Sequence, residues 1–297
     1  MSILINRNTR VLIQGATGSQ ARFDIKFCLE YGAQIVAGVT PGRGGEVVEG
    51  VPIFNTVEAA VRATGANASA IYVPARGVGG AIDEALESGI QVMLSLAENV
   101  PRHDAARSVA RVRRAGAYLV GFNTNGLISP GQSKMGGIGG DRSDAIYAPG
   151  RIGVCSRSGG MSAEISYTLK QAGLGVSTAV SMGGDPIVGM RLVEVLRLFE
   201  QDVDTDAMVI YAEPGGRHEA EVADAVRSGE LKKPVVAIVV GVFQEAYPRG
   251  ASFGHVAAMI QSEADSASAK RRMLESSGVK VATLLDEIPA LIAQALQ

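Results

Sequence analysis

Cysteine, long apolar runs and an excess of charge of either sign are what this sequence has little of. Its two cysteines, Cys28 and Cys155, lie in apolar stretches, which favours buried free thiols over a disulfide and indicates a reducing compartment. No run of about 18 apolar residues occurs that would cross a membrane, and the beginning, MSILINRNTR, lacks the apolar segment of a signal peptide. The formal net charge of −2 provides no electrostatic basis for binding nucleic acid. We therefore expect a cytoplasmic protein that binds neither membranes nor nucleic acid.

Glycine is abundant instead, with 37 residues, as expected where strands turn repeatedly into helices and where backbone approaches a ligand closely. Short apolar runs alternate with amphipathic stretches along the whole chain, which indicates an α/β fold with parallel sheets. The predicted strands are RVLIQG, QIVAGVT, AIYVPA, QVMLSLA and AYLVGF in the first half, and RIGVCS, VSTAVSM, AMVIYAE, PVVAIVVG and KVATLL in the second.

The length of 297 residues exceeds that of one ordinary core, about 100–200 residues, and predicts two domains. The chain is rich in Gly, Pro and Ser from about residue 121 to residue 151, where we place the junction. The predicted division is a first domain over residues 1–122, a linker over 123–150 and a second domain over 151–297.

The first predicted strand runs into a glycine turn, GATGSQ, which contains Thr17, Gly18, Ser19 and Gln20. Backbone N–H groups and the dipole of the following helix favour an anionic phosphate at such a turn, and Arg43 in TPGRGG is placed to meet a second phosphate. The pattern is not G-x-G-x-x-G, and no acidic residue clearly closes the second strand, which argues against a nicotinamide dinucleotide. The alternative, a tight turn that binds nothing, is left open here.

A second turn of the same kind, SRSGG, opens the second domain with Ser158, Gly159 and Gly160. Its hydroxyls and free amides suit a phosphoryl group. A nucleophilic serine is disfavoured because the G-x-S-x-G pattern is absent.

Of the three histidines, His255 follows a predicted strand and a loop, and Glu213 ends another strand. Since the carboxyl ends of parallel strands form the ligand crevice, Glu213 can orient one imidazole nitrogen and leave the other free to attack phosphorus. The spacing alone also allows His255 to be a helix cap. His103 and His218 resemble surface residues near helix starts, and we assign them no chemistry.

These motifs stand in the order RVLIQGATGSQ, VAGVTPGRGGEVVEGVPIFNTVEAAV, VCSRSGG, MGGDPIVG, EPGG and FGHVAAMI. In that order the sequence resembles the α subunit of succinyl-CoA synthetase (succinate–CoA ligase) over nearly its whole length. The resemblance implies a Rossmann-like CoA-binding domain and then a flavodoxin-like ligase domain. It also implies a partner β subunit with an ATP-grasp fold, in a heterodimer or heterotetramer. That partner would bind ATP or GTP with Mg²⁺, and no metal site is expected in this chain.

The resemblance places a phosphohistidine at His255, its supporting carboxylate at Glu213 and the phosphate-binding helix start at Ser158, Gly159 and Gly160. The positions that match CoA contacts are Thr17, Gly18, Ser19, Gln20, Arg43, Leu96, Ala97 and Glu98. In the implied reaction the histidine is phosphorylated, the phosphate passes to a carboxylic acid, and CoA attacks the acyl phosphate.

The sequence departs from the succinate pattern in the segment GFNTNG, which contains Asn123 and Thr124, and at Ala163, where the family has a tyrosine beside the acid. These three residues are the predicted substrate positions. SRSGGMS and SFGH are similar to the ligase region of ATP-citrate lyase and citryl-CoA synthetase. The acid is therefore left open among succinate, malate, citrate and other di- or tricarboxylates, and a CoA-binding protein with lapsed catalysis is the alternative.

Overall fold

The computed structural model describes residues 2–251, 253 and 258–297, which form two seven-stranded sheets connected by helices. The strands of the first sheet are β1 (Arg10–Gln14), β2 (Gln34–Val39), β3 (Val47–Val48), β4 (Val51–Phe54), β5 (Ala68–Ile71), β6 (Val92–Ser95) and β7 (Tyr118–Val120). Its helices are α1 (Ser19–Glu30), α2 (Val57–Thr64), α3 (Val78–Glu87) and α4 (Arg102–Arg114).

The first sheet has the order β3-β4-β2-β1-β5-β6-β7, and all neighbouring strands are parallel except β3 and β4. Without β3, the strands follow the order 3-2-1-4-5-6 along the chain, which is that of a Rossmann fold. This order reverses between β1 and β5, and ligands of such sheets bind beyond the carboxyl ends of the strands at the reversal. The glycine turn after β1 therefore lies where a ligand is expected.

The second unit contains strands β8 (Leu127–Ser129), β9 (Ser133–Met135), β10 (Pro149–Ser156), β11 (Val176–Ser181), β12 (Ala207–Ala212), β13 (Val235–Val239) and β14 (Lys280–Ala282). Its helices are α5 (Ser143–Ile146), α6 (Gly159–Gln171), α7 (Leu192–Gln201), α8 (His218–Arg227), α9 (Ala267–Ser276) and α10 (Ile288–Ala295). All residues of β11, β12 and β13 are buried, as expected for central strands of a parallel sheet covered on both faces.

The second sheet has the order β14-β13-β12-β10-β11-β8-β9. Its five parallel strands follow the flavodoxin order 2-1-3-4-5, and β8 and β9 add an antiparallel edge beside β11. Here the order reverses between β10 and β12. The segments that follow these two strands contain the predicted Ser158 turn and Glu213.

The predicted α/β fold class is confirmed, and each predicted strand overlaps an observed one. The short strands β3, β4, β8 and β9 were not predicted. The last two lie within the predicted linker over residues 123–150 and pair with the second sheet. The domain boundaries themselves remain a proposal.

The two units share part of their core, because one buried apolar cluster contains Ile13 and Leu94 of the first unit together with Val180 and Leu196 of the second. Cys28 and Cys155 are buried and free, as predicted. Burial raises the pKa of the Cys28 thiol to about 12. A group that holds its proton so firmly is a poor nucleophile at neutral pH. Within residues 2–251, 253 and 258–297, no helix is both long and apolar enough to span a bilayer.

Candidate active site

The turn after β1 leaves the start of α1 open. Gly15 has a φ of +80°, and a Cβ there would lie 3.1 Å from the carbonyl carbon of Tyr72, so the turn requires glycine. Gly18 precedes the helix without a side-chain cap, and Gly18, Ser19 and Gln20 are exposed. The first N–H groups of α1 are therefore available to an anionic phosphate, and these residues fit the predicted CoA site.

A buried carboxyl group, that of Asp24, forms a hydrogen bond with the Gln20 side chain. Its Nε2 donates to Oδ1 of Asp24 at 3.1 Å, and the hydroxyl of Tyr72 donates to Oδ2 at 2.8 Å. Burial raises the pKa of Asp24, although both hydrogen bonds oppose this shift. Asp24 thus restrains the orientation of one predicted CoA contact.

Thr17 and Arg43 lie in neighbouring loops beyond the carboxyl ends of β1 and β2. The Thr17 hydroxyl is 3.5 Å from that of Thr40. Arg43 forms an exposed ion pair with Glu46, with Nε 2.7 Å from Oε1 and Nη2 2.5 Å from Oε2. A phosphate at the glycine turn would have to share this guanidinium with Glu46. The contact of Arg43 with CoA stays a prediction.

The loop after β6 is connected to the second unit through Asn123. Within this loop Leu96 and Ala97 are half-buried and Glu98 is exposed. The Asn123 backbone N–H donates to the Ala97 carbonyl at 3.1 Å, and its side-chain Nδ2 donates to Oδ1 of buried Asp185 at 3.1 Å. Asn123 therefore couples a loop of the predicted CoA site to a loop of the second unit.

The other two predicted substrate residues, Thr124 and Ala163, make contacts within the protein. The Thr124 hydroxyl donates to the Ser181 carbonyl at 2.5 Å and accepts from the Gly126 N–H at 3.0 Å. Ala163, in α6, is half-buried and packs against a buried apolar cluster of the second sheet. Their roles towards a substrate remain predictions.

The turn after β10 opens α6 on one side. The Ser156 hydroxyl accepts the Ser158 N–H at 3.1 Å, and Ser158 caps the helix by accepting a backbone N–H from its first turn. A Cβ on Gly159 would lie 2.4 Å from Cγ of Asn125, whereas nothing lies within 4 Å of a Cβ on Gly160. The start of the helix is therefore closed on the Gly159 side and accessible on the Gly160 side.

Two oppositely charged side chains lie at the reversal of the second sheet. Arg157 follows β10 and Glu213 follows β12, with 2% and 6% of their side chains exposed, and Nε of Arg157 is 3.7 Å from Oε1 of Glu213. Among the described residues this Nε–H has no hydrogen-bond acceptor. His255, the predicted phosphoryl carrier, lies outside the described residues.

Lys270, which no sequence motif indicates, anchors the turn that carries Glu213. Its Nζ donates to the backbone carbonyls of Glu213 at 2.9 Å and Gly215 at 2.5 Å, and to Oε2 of Glu219 at 2.6 Å. Lys270 belongs to the run KRR in α9, which in sequence is indistinguishable from an exposed helix face. Tertiary packing, rather than any sequence signal, buries this lysine.

A cavity of about 500 Å³ opens beside Arg157. Arg102 of the first unit lines it. The lining residues of the second unit include Arg157, Ile187, His218, Met259 and Asp265. Arg102 is the first residue of α4 and His218 the first of α8. The cavity thus lies where the start of a first-unit helix meets the reversal of the second sheet.

His218 is half-buried in this wall, which corrects its placement on the surface. Its position at a helix start was predicted, but the presence of the cavity was not. Burial lowers the pKa of His218, and the positive charge of Arg157 lowers it further. The described part of the chain contains no group of His, Cys, Asp and Glu side chains arranged to hold a metal ion.

Together, the Rossmann-type unit with its open phosphate turn and the flavodoxin-type unit with its buried charge pair define a two-unit α/β protein of the CoA-ligase class. The family profile described as CoA binding domain matches residues 6–99, and the profile described as succinyl-CoA ligase like flavodoxin domain matches residues 149–294. The chain belongs to the succinate–CoA ligase α-subunit family.

Two curated relatives extend over almost the whole chain. The chain is 43% identical to the succinate–CoA ligase [ADP-forming] subunit alpha 2 of Archaeoglobus fulgidus, over 100% of both chains. It is 38% identical to an ADP-forming sulfoacetate-CoA ligase subunit of an Acholeplasma species, over 95% of this chain and 94% of the relative.

Among solved structures, ATP citrate lyase from Methanothrix soehngenii has a similar fold, with a TM-score of 0.90 at 24% identity. That match includes 99% of this chain, which spans 50% of the lyase chain. The likeness supports the two-unit architecture alone.

Proposed function

We propose that the chain is the α-type subunit of an ADP- or GDP-forming acid–CoA ligase that acts through a phosphohistidine at His255. The observation that carries this proposal is the buried pair of Arg157 and Glu213 at the reversal between β10 and β12. Family membership and the relatives' names support it. The proposal includes a cytoplasmic location.

In the proposed reaction an imidazole nitrogen of His255 attacks the terminal phosphorus of ATP or GTP, and the nucleoside diphosphate leaves. A carboxylate oxygen of the acid then attacks that phosphorus, which restores the free imidazole. The CoA sulfur finally attacks the acyl carbon, and inorganic phosphate leaves. The phosphohistidine thus divides one difficult transfer into two easier ones.

The residues near the charge pair have the chemistry that these steps need. Glu213 is proposed to orient the imidazole of His255. Ser158, Gly159 and Gly160 contribute the open start of α6, whose N–H groups and dipole favour phosphoryl oxygens. In a site with little water such fixed donors stabilise developing charge more strongly than they would in solvent.

CoA is proposed to bind at the glycine turn after β1 and the loops after β2 and β6. The proposed contacts are Thr17, Gly18, Ser19, Gln20, Arg43, Leu96, Ala97 and Glu98. An ATP-grasp β subunit is proposed to bind the nucleotide with Mg²⁺, in a heterodimer or heterotetramer. The isolated chain should therefore form no CoA thioester from acid and ATP.

Incubating the complete complex with radiolabelled ATP tests the mechanism. We expect this chain to become labelled, with the acid-labile, alkali-stable phosphate that is typical of phosphohistidine. His255→Ala should abolish the label and Glu213→Gln should reduce it, whereas His103→Ala, a matched histidine control on α4, should retain it. An unlabelled wild-type complex, or full labelling of His255→Ala, would contradict the proposal.

The acid is identified by assaying CoA-thioester formation with succinate, malate, citrate and sulfoacetate. The last is included because one relative is named for it. CoA binding measured by calorimetry, without turnover of any acid and without labelling, would instead support a CoA-binding protein with lapsed catalysis.

A further inference from the structure

The cavity beside Arg157 contains two cationic or proton-donating side chains that lack an acidic partner. Among the described residues, the side chains of Arg102 and His218 form no hydrogen bond or ion pair, although the negative charges of Glu219 and Glu221 favour protonation of His218. The remaining charged groups of the wall are already engaged. Arg157 is paired with Glu213, and Oδ2 of Asp265 accepts two hydrogen bonds from Ser262, at 2.8 and 2.9 Å.

Arg102 and His218 also stand at helix starts. They are the first residues of α4, with 13 residues, and of α8, with 10. Neither helix has a side-chain cap at its N-terminal end, so the first-turn N–H groups add partial positive charge. Of the acidic residues in these first turns, Glu219 and Glu221 are paired with Lys270 and Arg191, and Asp104 is exposed. The buried guanidinium of Arg157, whose Nε–H lacks an acceptor among the described residues, lines the same space. An anionic group is therefore the ligand that this part of the wall favours.

The wall also contains the apolar side chains of Pro186, Ile187 and Met259 and the polar side chain of Gln261. A volume of about 500 Å³ falls within the range of small-molecule sites, about 300–1,000 Å³. A ligand with a short carbon chain and an anionic group at each end matches this pattern. One end would lie near Arg157 and the proposed phosphoryl site, and the other between Arg102 and His218.

We propose that Arg102 and His218 recognise the second anionic group of the acid, remote from the carboxylate that reacts. This inference rests on the proposed ligase function. It makes these two residues determinants of specificity, which distinguish a di-acid from a mono-acid of the same length. Arg102 would contribute a charge-assisted, two-pronged contact, and His218 a neutral N–H donor.

The test measures kcat and KM of the complete complex for pairs of acids in which a methyl group replaces the second anionic group: succinate with butyrate, glutarate with pentanoate, and sulfoacetate with propanoate. Wild type should prefer the di-anionic member of a pair. Arg102→Gln and His218→Gln should each lower kcat/KM for that acid by about 10- to 100-fold, mainly through KM, because a hydrogen bond to a charged group is lost. The mono-acid should change by less than about twofold, since it makes no contact with either residue.

His103→Gln is the matched control, because His103 adjoins Arg102 on the exposed start of α4 but is not among the described lining residues. This variant should leave kcat/KM for both members of a pair unchanged. Arg102→Lys keeps the positive charge and should therefore retain more of the preference for the di-anionic acid than Arg102→Gln does. Thermal melting of each variant separates altered recognition from altered folding.

The inference is overturned if wild type prefers the mono-acids, if it turns over no di-anionic acid of the panel, or if stable variants change both members of a pair equally. Failure of the proposed function is recognised separately. In that case the wild-type complex forms no thioester, and no phosphate label appears on His255.

Discussion

Replacing Lys270 by methionine should destabilise the protein strongly. The Lys270–Glu219 pair has an Nζ–Oε2 distance of 2.6 Å, and only 2% and 1% of the two side chains are exposed. Oε1 of Glu219 has no hydrogen-bond partner among the described residues, so the carboxylate depends on this lysine. Removing one member of a buried ion pair leaves an uncompensated charge and costs about 3–5 kcal/mol. We expect Lys270→Met to lower the free energy of unfolding by that amount, measured by denaturant titration.

The double variant Glu219→Leu/Lys270→Met distinguishes lost pairing from lost volume. Replacing both charges by apolar groups removes the uncompensated charge, and only the carbonyls of Glu213 and Gly215 then lose a donor. The double variant should therefore cost about 1–3 kcal/mol, less than Lys270→Met alone. Lys232→Met is the control, because its exposed side chain should contribute less than about 0.5 kcal/mol. The reasoning would be refuted if Lys270→Met cost less than about 1 kcal/mol. It would also be refuted if the loss of unfolding free energy in the double variant equalled the sum of the losses in Lys270→Met and Glu219→Leu measured separately.

Three further changes test the packing around the site. Gly159→Ala should destabilise the protein by about 1–3 kcal/mol, because the added Cβ overlaps Asn125, and Asn125→Gly should relieve this effect. Gly160→Ala, the control, adds a Cβ in open space and should not destabilise the protein. Thermal or denaturant unfolding measures both changes. Thr124→Val should cost about 1–3 kcal/mol in denaturant unfolding, because it leaves two buried backbone groups unpaired. Burial lowers the pKa of His218 below its ordinary 6.5, so the unfolded chain binds this proton more readily, and stability should fall as the pH drops below about 6.5. Denaturant midpoints between about pH 5 and 7.5 should show a weaker dependence in His218→Gln.

The sequence predicts the parallel strands because each is an apolar run bounded by glycine or proline. β12 and β13, buried along their whole length, are the clearest examples. The missed strands have two to four residues and form antiparallel edge pairs. Shortness alone is not the reason, because β7 and β14 have only three residues and were predicted as apolar runs. The pairing of the missed strands depends on a neighbouring strand that local sequence does not specify.

Some residues of the site were predictable from the sequence around them, whereas others depend on contacts between distant parts of the chain. Ser158 and Glu213 were predictable because each follows a strand, and the carboxyl ends of parallel strands meet at one edge. Lys270 and Arg102 were not. Lys270 reaches the Glu213 turn from a helix more than 50 residues later, since its contact with the Glu213 carbonyl has a sequence separation of 57. Such contacts are set by packing, and no short motif encodes them.

The position of Ala163 changes how selection of the acid should be understood. From sequence, the loss of an aromatic side chain there predicted a wider or altered acid site. In the structure Ala163 packs against the second-sheet core and is not among the described residues that line the cavity. A substitution that faces the core alters packing in α6, whereas a charge on the cavity wall acts on the ligand directly. Selection between acids should therefore depend on the helix starts at Arg102 and His218 more than on the volume left at Ala163.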